Sequence, residues 1–499
     1  MSQVVVLPRL VEFRSKYAYS KYLLRYVKEE GQKKGLVQFS GEDVGSADAK
    51  FEVEKSESGD GSVHIRSCYN NKYLQLVDYD NWIAPRAEKP DEDRSKRSCT
   101  LFRPTSVGGD SRTIRLTNVY LGTYLFMWRT ASPYYGCVYS CNSNPEADSC
   151  DVFSVIDWQS LVLLPKYVAF KGDNDKFLSP IWYEGHSYLQ FSESKADDLM
   201  VVGNEIVRIT SDGNIRIRNM FRDRYWCLSP NWIWADSTNS SNNDTLFEPI
   251  KCSNDTIALR NMANKLFCIR LSTEGKINCL NAGSSTINIS TAKFKVSELI
   301  ISRKIDNIRF RLMDSRVYDE KMLVMVSSTY TNRGNSTQEQ TIQLSYTNKR
   351  SSSWNNSLSL TTSVEATITA GIPFIEEGKV TVGAESSAQH AWGEIVESEE
   401  NVTISYKVSI PPRTKVTVRT VTTRGVCDVP FNYDQRDVLY TGKTVVTNMD
   451  DGVFTGVNNY SFYTEEKEEP LDNNNRGRTA TGFRRVAKVS RTGVITRLK

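Results

Sequence analysis

A short pattern recurs through the first 300 residues of this 499-residue chain and leaves few folds open. Lys21-Tyr22-Leu23, Lys72-Tyr73-Leu74 and Thr123-Tyr124-Leu125 return at a constant spacing. Each follows a short alternating segment: Val11-Glu12-Phe13-Arg14, Val63-His64-Ile65-Arg66 and Ile114-Arg115-Leu116. A second set lies downstream. Val168-Ala169-Phe170 precedes Lys176-Phe177-Leu178, Ile215-Arg216-Ile217 precedes Arg224-Tyr225-Trp226, and Ile257-Ala258-Leu259 precedes Lys265-Leu266-Phe267. The two halves also match each other. Gln38-Phe39-Ser40 answers Gln190-Phe191-Ser192, and Thr100-Leu101-Phe102 answers Thr245-Leu246-Phe247. A unit of roughly 40–50 residues built of short strands and turns makes a β-trefoil or a propeller-like array, and three copies per block select the trefoil. The expectation is an all-β chain with tandem β-trefoils at about 8–158 and 164–300, Asp157-Trp158 closing the first.

A sugar site needs an aromatic face against the apolar side of the ring and polar groups for the hydroxyls. Tyr79-Asp80-Asn81-Trp82 supplies both in four residues, and Ser229-Pro230-Asn231-Trp232 stands at the equivalent place of the second block. The competing reading makes Trp82 and Trp232 core residues fixed by the repeat, with Asp80 and Asn81 forming a turn. The duplication, with its Lys-Tyr-Leu and Gln-Phe-Ser signatures, resembles the amaranthin-type lectins, plant proteins of two tandem β-trefoil (agglutinin) domains. That resemblance implies binding of glycans of the galactose/N-acetylgalactosamine type. It also implies sites formed between the first domain of one subunit and the second domain of its partner.

Beyond Ile305 the composition shifts to long Val-, Thr- and Ser-rich segments, and the stretch from Trp354 to Trp392 stands out. From Leu358 to Ile372 nearly every even position is apolar or small, and every odd one is Ser, Thr, Glu or Gly, with Thr362 the exception among the even. The alternation resumes from Lys379 to Gln389 after Pro373–Gly378. Period-two alternation puts the two sets on opposite faces, so two arms around this turn predict a hairpin over 354–393. Its apolar face is weak for a water-soluble core but suits a membrane barrel wall, and each arm exceeds the roughly 9–11 residues that cross a bilayer as a tilted strand. Ile372, Phe374 and Ile375 give an apolar tip. If Ile372 pairs with Gly378, Glu365 faces Glu385 on the Ser/Thr side, and a closed barrel would carry a cation-favouring carboxylate ring in its lumen. The competing reading is an ordinary surface hairpin.

The double proline Pro411-Pro412 breaks one strand from the next. The run Pro411-Pro412-Arg413-Thr414-Lys415-Val416-Thr417-Val418, the later Asp428-Val429-Pro430-Phe431 and the Ser/Thr-rich hairpin resemble the pore-forming module of the aerolysin family. This resemblance implies an elongated antiparallel module over 301–475 and a homo-oligomer in which each subunit gives one hairpin to a shared barrel in a target membrane. The function expected is glycan-directed pore formation, in plant defence; the rival is a multivalent lectin whose aerolysin-like part only oligomerises.

Composition removes other classes. A net charge of +4 with both signs spread throughout argues for no nucleic-acid partner. The three histidines, His64, His186 and His390, fall one to each expected domain. Cys137, Cys141 and Cys150 lie close in sequence but without a histidine, so no metal is expected. With no phosphate loop or nucleophile elbow, neither a cofactor nor an enzyme is expected. The start lacks the charged and apolar regions of a signal peptide, which predicts synthesis in the cytoplasm or nucleocytoplasm and action at a target cell membrane. Residues 476–499 hold eight basic and no acidic groups and read as a solvated, flexible tail. Attraction to an anionic membrane surface, or restraint of the monomer until cleavage, are the functional readings of that tail.

Overall fold

Short segments that alternate and end at glycine or asparagine turns have one way to bury their apolar residues: pair edge to edge and close. The computed structural model describes the chain apart from residues 1–4, 18–21, 131–132, 197–201, 209–212, 356–365, 384–387, 472–481, 491–492 and 498–499. Leu10–Ser15, Phe51–Lys55, Val63–Ser67, Leu101–Val107, Asp110–Asn118 and Phe153–Asp157 pair antiparallel in that order. The last pairs back to the first, with Val11 opposite Asp157, so six strands form a closed ring. Three hairpins accompany it: Leu23–Tyr26 with Val37–Gly41, Tyr73–Leu76 with Ile83–Ala87, and Thr123–Met127 with Val138–Asn142. Phe13, Phe51, Ile65, Phe102, Ile114 and Phe153 fill the interior. Each such side chain stabilises the fold by about 1.5–3 kcal/mol when fully buried.

The second block repeats the scheme. Tyr167–Lys171, Asn204–Arg208, Ile215–Asn219, Phe247–Lys251, Thr256–Asn261 and Phe294–Glu298 close a second ring. Its hairpins are Phe177–Tyr183 with His186–Glu193, Arg224–Ser229 with Trp232–Ser237, and Phe267–Thr273 with Lys276–Ser284. A closed ring with three hairpins is the pairing scheme of a β-trefoil.

One residue of the first ring breaks the rule that buried charge is paired. Glu12, opposite Ile156, is buried and neither carboxylate oxygen has a hydrogen-bond partner. Burial, then Asp43 and Asp48, push its carboxyl well above the usual carboxylate range, while Lys50 pulls the other way. The unfolded chain loses this proton at an ordinary glutamate pKa and the native chain only higher. Between the two the native state binds more protons, so this contribution is lost as pH rises through that window. Glu12→Gln is expected to raise the thermal midpoint by a few degrees at pH 8 and by less at pH 5. Equal shifts at both values, read by scanning fluorimetry, would reject an ionisation origin.

The chain divides into one unit of residues 1–306, 357–366 and 434–451, which holds both rings, and another of residues 307–356, 367–433 and 452–499. In the second unit the strands lengthen. Gln338–Asn355 pairs with Ile395–Ile410 along its length, from Gln338 opposite Ile410 to Ser353 opposite Ile395. Arg316–Asn332 pairs with Thr414–Leu439. Strict alternation along the ribbon turns Ile342, Leu344, Tyr346, Val402, Ile404 and Val408 inward, where they pack with Val416, Val418 and Phe462. Pro411 and Pro412 fall between strands, as expected, with Arg413 at φ 52° completing the turn.

The C-terminal segment departs from the expected flexible tail. Arg484–Val489 pairs with Thr444–Pro470, and Ile495–Arg497 pairs with Arg484–Val489 in turn. Ala487 and Val489 are buried in the ribbon core, and Arg484 and Arg485 meet Glu465, Glu466 and Glu468. The acidic run in one strand thus answers the basic run of the other, and a short Val-Ala-Lys-Val alternation carries the apolar part.

Candidate functional site

Two places concentrate chemistry. The first is the hairpin end of each ring. In the first block Leu76 and Ile83 form the last paired rung, and Val77 N–H donates to Trp82 O at 3.0 Å, so residues 78–81 are a turn. Asp80 Oδ1 accepts from the Asn81 N–H at 2.7 Å. Arg97 clips the turn from outside. Its Nε donates to Val77 O at 2.9 Å, and its Nη2 donates to Asn81 Oδ1 at 3.1 Å and to Asp80 O. Tyr79 is fully exposed.

Trp82 is half-buried and belongs to an aromatic cluster. Its ring stacks on Tyr134 at 4.8 Å and meets Tyr139 and Trp128 edge-on at 4.7 and 5.3 Å. Burial, and Asp80 beside it, raise the Tyr139 phenol above its ordinary pKa. Asp80, Asn81 and Trp82 are therefore brought together with three aromatics that sequence reasoning did not name. Trp128, Tyr134 and Tyr139 come from the third hairpin and its connection, which the threefold arrangement sets against the second. The signal was present as a Tyr- and Trp-rich run over 128–139 in a repeat whose hairpins had to converge.

The equivalent end of the second block is tighter. Pro230 and Asn231 are a two-residue turn between the paired Ser229 and Trp232. The other two hairpins turn on Glu184-Gly185 and Glu274-Gly275, all four residues at positive φ, the backbone that matches the twist of paired strands. Asn231 is exposed, but Trp232 is buried and its Nε1 donates to Glu274 Oε2 at 3.1 Å. The Lys276 ammonium lies 5.4–5.8 Å from the rings of Tyr183, Tyr188 and Trp232 and pairs with Glu184 at 3.0 Å. Beside them His186 stacks on Trp234 at 3.8 Å and meets Asp236 at 3.0 Å. Trp232 thus braces the cap, while His186 and Trp234 form a stacked pair there that sequence reasoning missed.

Among the described residues, Glu146, Asp148 and Cys150 are the group close enough to hold an ion. Arg129 pairs with both carboxylates, and burial and Asp148 push the Cys150 thiol up to about 12. Those ligand atoms are already committed.

The second place is the hairpin. Ala366, Ile368 and Ala370 are buried and Thr367 and Thr369 exposed, the two faces that alternation demands. The tip forms a two-stranded sheet of its own, Pro373–Glu376 with Lys379–Val382. Ile372 does not pair with Gly378. The turn is Glu377-Gly378, with φ of 49° and 80°, and Glu376 faces Lys379 while Pro373 faces Val382. Further from the tip Ala370 faces Ala388 and Thr367 faces Ala391, a different register. Gly371 sits at the change, where a Cβ would lie 2.9 Å from Val382 Cγ1. The single continuous register behind the Glu365–Glu385 pairing therefore does not hold; Glu365 and Glu385 themselves lie outside the described residues.

The apolar tip is covered at Ile375 and in part at Phe374, while Ile372 stays exposed. Ile375 is 0% exposed, Phe374 is half-buried and Ile372 is 39% exposed. The Asn458 side chain takes both backbone groups of Ile375, at 2.9 Å each. The Ile375 side chain fills the space above Gly425, and Glu377 at the turn is ion-paired with Lys488, which holds its carboxyl below the usual range. No helix among the described residues is long and apolar enough to cross a membrane, which leaves strand crossing open.

Two family models match the chain. One is the Agglutinin domain, over residues 6–157 and again over 162–300; the other is Clostridium epsilon toxin ETX/Bacillus mosquitocidal toxin MTX2, over 283–436. No curated protein sequence matches the chain. Similar solved structures include the lamprey immune protein, 14% identical, covering 62% of this chain and 93% of its own at a TM-score of 0.30. A mosquitocidal holotoxin is 9% identical and covers 62% of this chain and 36% of its own, with a TM-score of 0.29. The Polyporus squamosus lectin, solved with a human-type influenza-binding epitope, is 10% identical and covers 30% of this chain and 51% of its own, with a TM-score of 0.24.

Proposed function

The chain belongs to the agglutinin-domain family, and from that premise we propose that it is a glycan-directed pore-forming protein. An agglutinin pair followed by a toxin-type domain joins recognition to membrane attack in one polypeptide. The observation that carries the reading is the docked hairpin. Its tip is apolar, yet Ile375 is buried and held through its backbone, so an insertion-competent surface is kept out of water. The sequence of events is docking on glycans of the galactose/N-acetylgalactosamine type and assembly as local concentration rises. Hairpin 354–393 then refolds into a shared barrel. A single hairpin has open edges that lipid does not tolerate, so closure by neighbouring copies is required. A role in plant defence fits this chemistry. The second reading, a multivalent lectin that never inserts, rests on the same cap geometry without the hairpin's release.

Dye release from galactose-bearing liposomes tests the proposal: release that needs the glycan supports it, and binding without release leaves the lectin alone. The sugar placement has its own test. Replacing Asp80 and Asn81 together by Ala is expected to abolish binding to a galactose-containing array, more than tenfold in affinity, while the melting temperature holds. Asp80 is exposed, Asn81 is half-buried and neither belongs to the apolar core, so a folded double variant that binds normally would move the site elsewhere on the cap.

A further inference from the structure

We propose that Asn458 is the latch of the hairpin tip, the residue whose two hydrogen bonds keep the tip docked and whose release lets it go. This rests on the reading that the hairpin moves. Asn458 lies in Thr444–Pro470, a strand whose alternation fails at Asn458-Asn459-Tyr460, where three successive residues are buried before Ser461 turns to φ 54°. Its Oδ1 accepts from the Ile375 N–H and its Nδ2 donates to the Ile375 carbonyl, each at 2.9 Å. A side-chain amide has donor and acceptor side by side and so offers one residue what a neighbouring strand would offer. The Nδ2 also donates to Asn459 O at 3.1 Å, which fixes the amide's orientation.

Among the described residues the tip's two strands pair only with each other, so no ladder ties them to the larger sheet. Ile375 is fully buried, and its N–H and carbonyl would be left without partners if Asn458 were lost. Asn458 thus decides whether the Ile375 backbone groups are satisfied. A polar latch also suits a part that must leave. On release both groups exchange protein hydrogen bonds for water, a near-balanced trade, whereas a ladder of several bonds would have to open together. The adjacent Asn459 serves a different element: its Nδ2 donates to Asn348 Oδ1 at 3.0 Å in the ribbon.

Hydrogen exchange read by mass spectrometry on the full chain tests the latch. In Asn458→Ala, peptides covering 373–382 are expected to exchange about tenfold faster or more, while peptides covering 402–410 in the ribbon core keep their protection. Dye release from galactose-bearing liposomes is expected to start sooner. Asn458→Asp keeps the acceptor but sets a carboxylate oxygen against the Ile375 carbonyl, so it should loosen the same peptides; it decides the matter if the alanine variant does not fold. Unchanged exchange over 373–382, or equal loss of protection over 402–410, overturns the latch and leaves Asn458 an ordinary structural residue. A loosened tip in a protein that releases no dye in any form upholds the latch and rejects pore formation.

Discussion

Cysteines placed at Ile375 and Gly425 and oxidised together are expected to bring dye release down to the rate of liposomes alone, and reductant is expected to restore it. The geometry favours the bridge. A Cβ built on Gly425 lies 3.1 Å from Ile375 Cδ1, and shortening isoleucine to cysteine opens room for the two sulfurs. A disulfide spans Cβ atoms roughly 3.5–4.5 Å apart, and the Ile375 Cβ is two bonds back from the Cδ1 that meets Gly425. Gly425 has no side chain because Ile375 and Tyr460 occupy its place; the same built Cβ is 3.2 Å from Tyr460 Cε1. While the bond stands, the tip cannot leave, and no sheet crosses lipid unless its backbone pairs within a closed barrel. Glycan binding should be untouched, since neither position lies in the agglutinin repeats. The ten native cysteines are free among themselves, so peptide mapping must show the 375–425 bridge before the assay is read. Equal release with and without reductant from a bridged protein means another element moves.

Much of this arrangement was legible from residue order alone. The recurrence of Lys-Tyr-Leu after alternating segments required three hairpins on one ring, and strands close from Leu10–Ser15 back to Phe153–Asp157. The two faces of Ala366–Ala370 follow from parity, which side-chain alternation fixes without reference to anything distant. Register is another matter, because it depends on where the turn sits. Two residues at positive φ, Glu377 and Gly378, make a tighter turn than the Pro373–Gly378 stretch suggested, and the pairing changes register at Gly371, where Val382 comes close.

The parts that did not read from sequence depend on partners far away in the chain. Trp82 looked like a ligand platform or a core residue; it is half-buried, because Trp128 and Tyr139 arrive from a hairpin some 50 residues on, a distance set by the repeat period. Trp232, at the matching position, is drawn into the cap by Glu274 and Lys276. The tail misled for the same reason. Arg484 and Arg485 look like solvated charge until Glu465, Glu466 and Glu468 are placed opposite, and such pairing has no local signature.

The largest loss of stability is expected from Trp354→Ala, at about 3–5 kcal/mol. Trp354 ends Gln338–Asn355, is 0% exposed, and stands 4.8 Å from Phe454, 5.7 Å from Phe431 and 5.8 Å from Phe310. Two glycines let these rings press against backbone. A Cβ on Gly452 would lie 2.4 Å from Phe431, and one on Gly456 would lie 2.7 Å from Phe454, so the surroundings are close-packed and poorly placed to collapse into a cavity. The same residue anchors one foot of the hairpin: its carbonyl accepts from the Gly393 N–H at 2.8 Å, and Trp392 at the other foot packs on Tyr433 at 5.2 Å. Removing the indole should therefore lower the thermal midpoint of the second unit by roughly 10 °C. Trp354→Phe should recover much of that loss, since an aromatic face remains for Phe454. Calorimetry with a glycan titration alongside separates this from general damage: sugar affinity is expected to stay at the wild-type value. A Trp354→Ala protein that melts within about 1 °C of the wild type would show that the aromatic cluster is not what holds the hairpin's base.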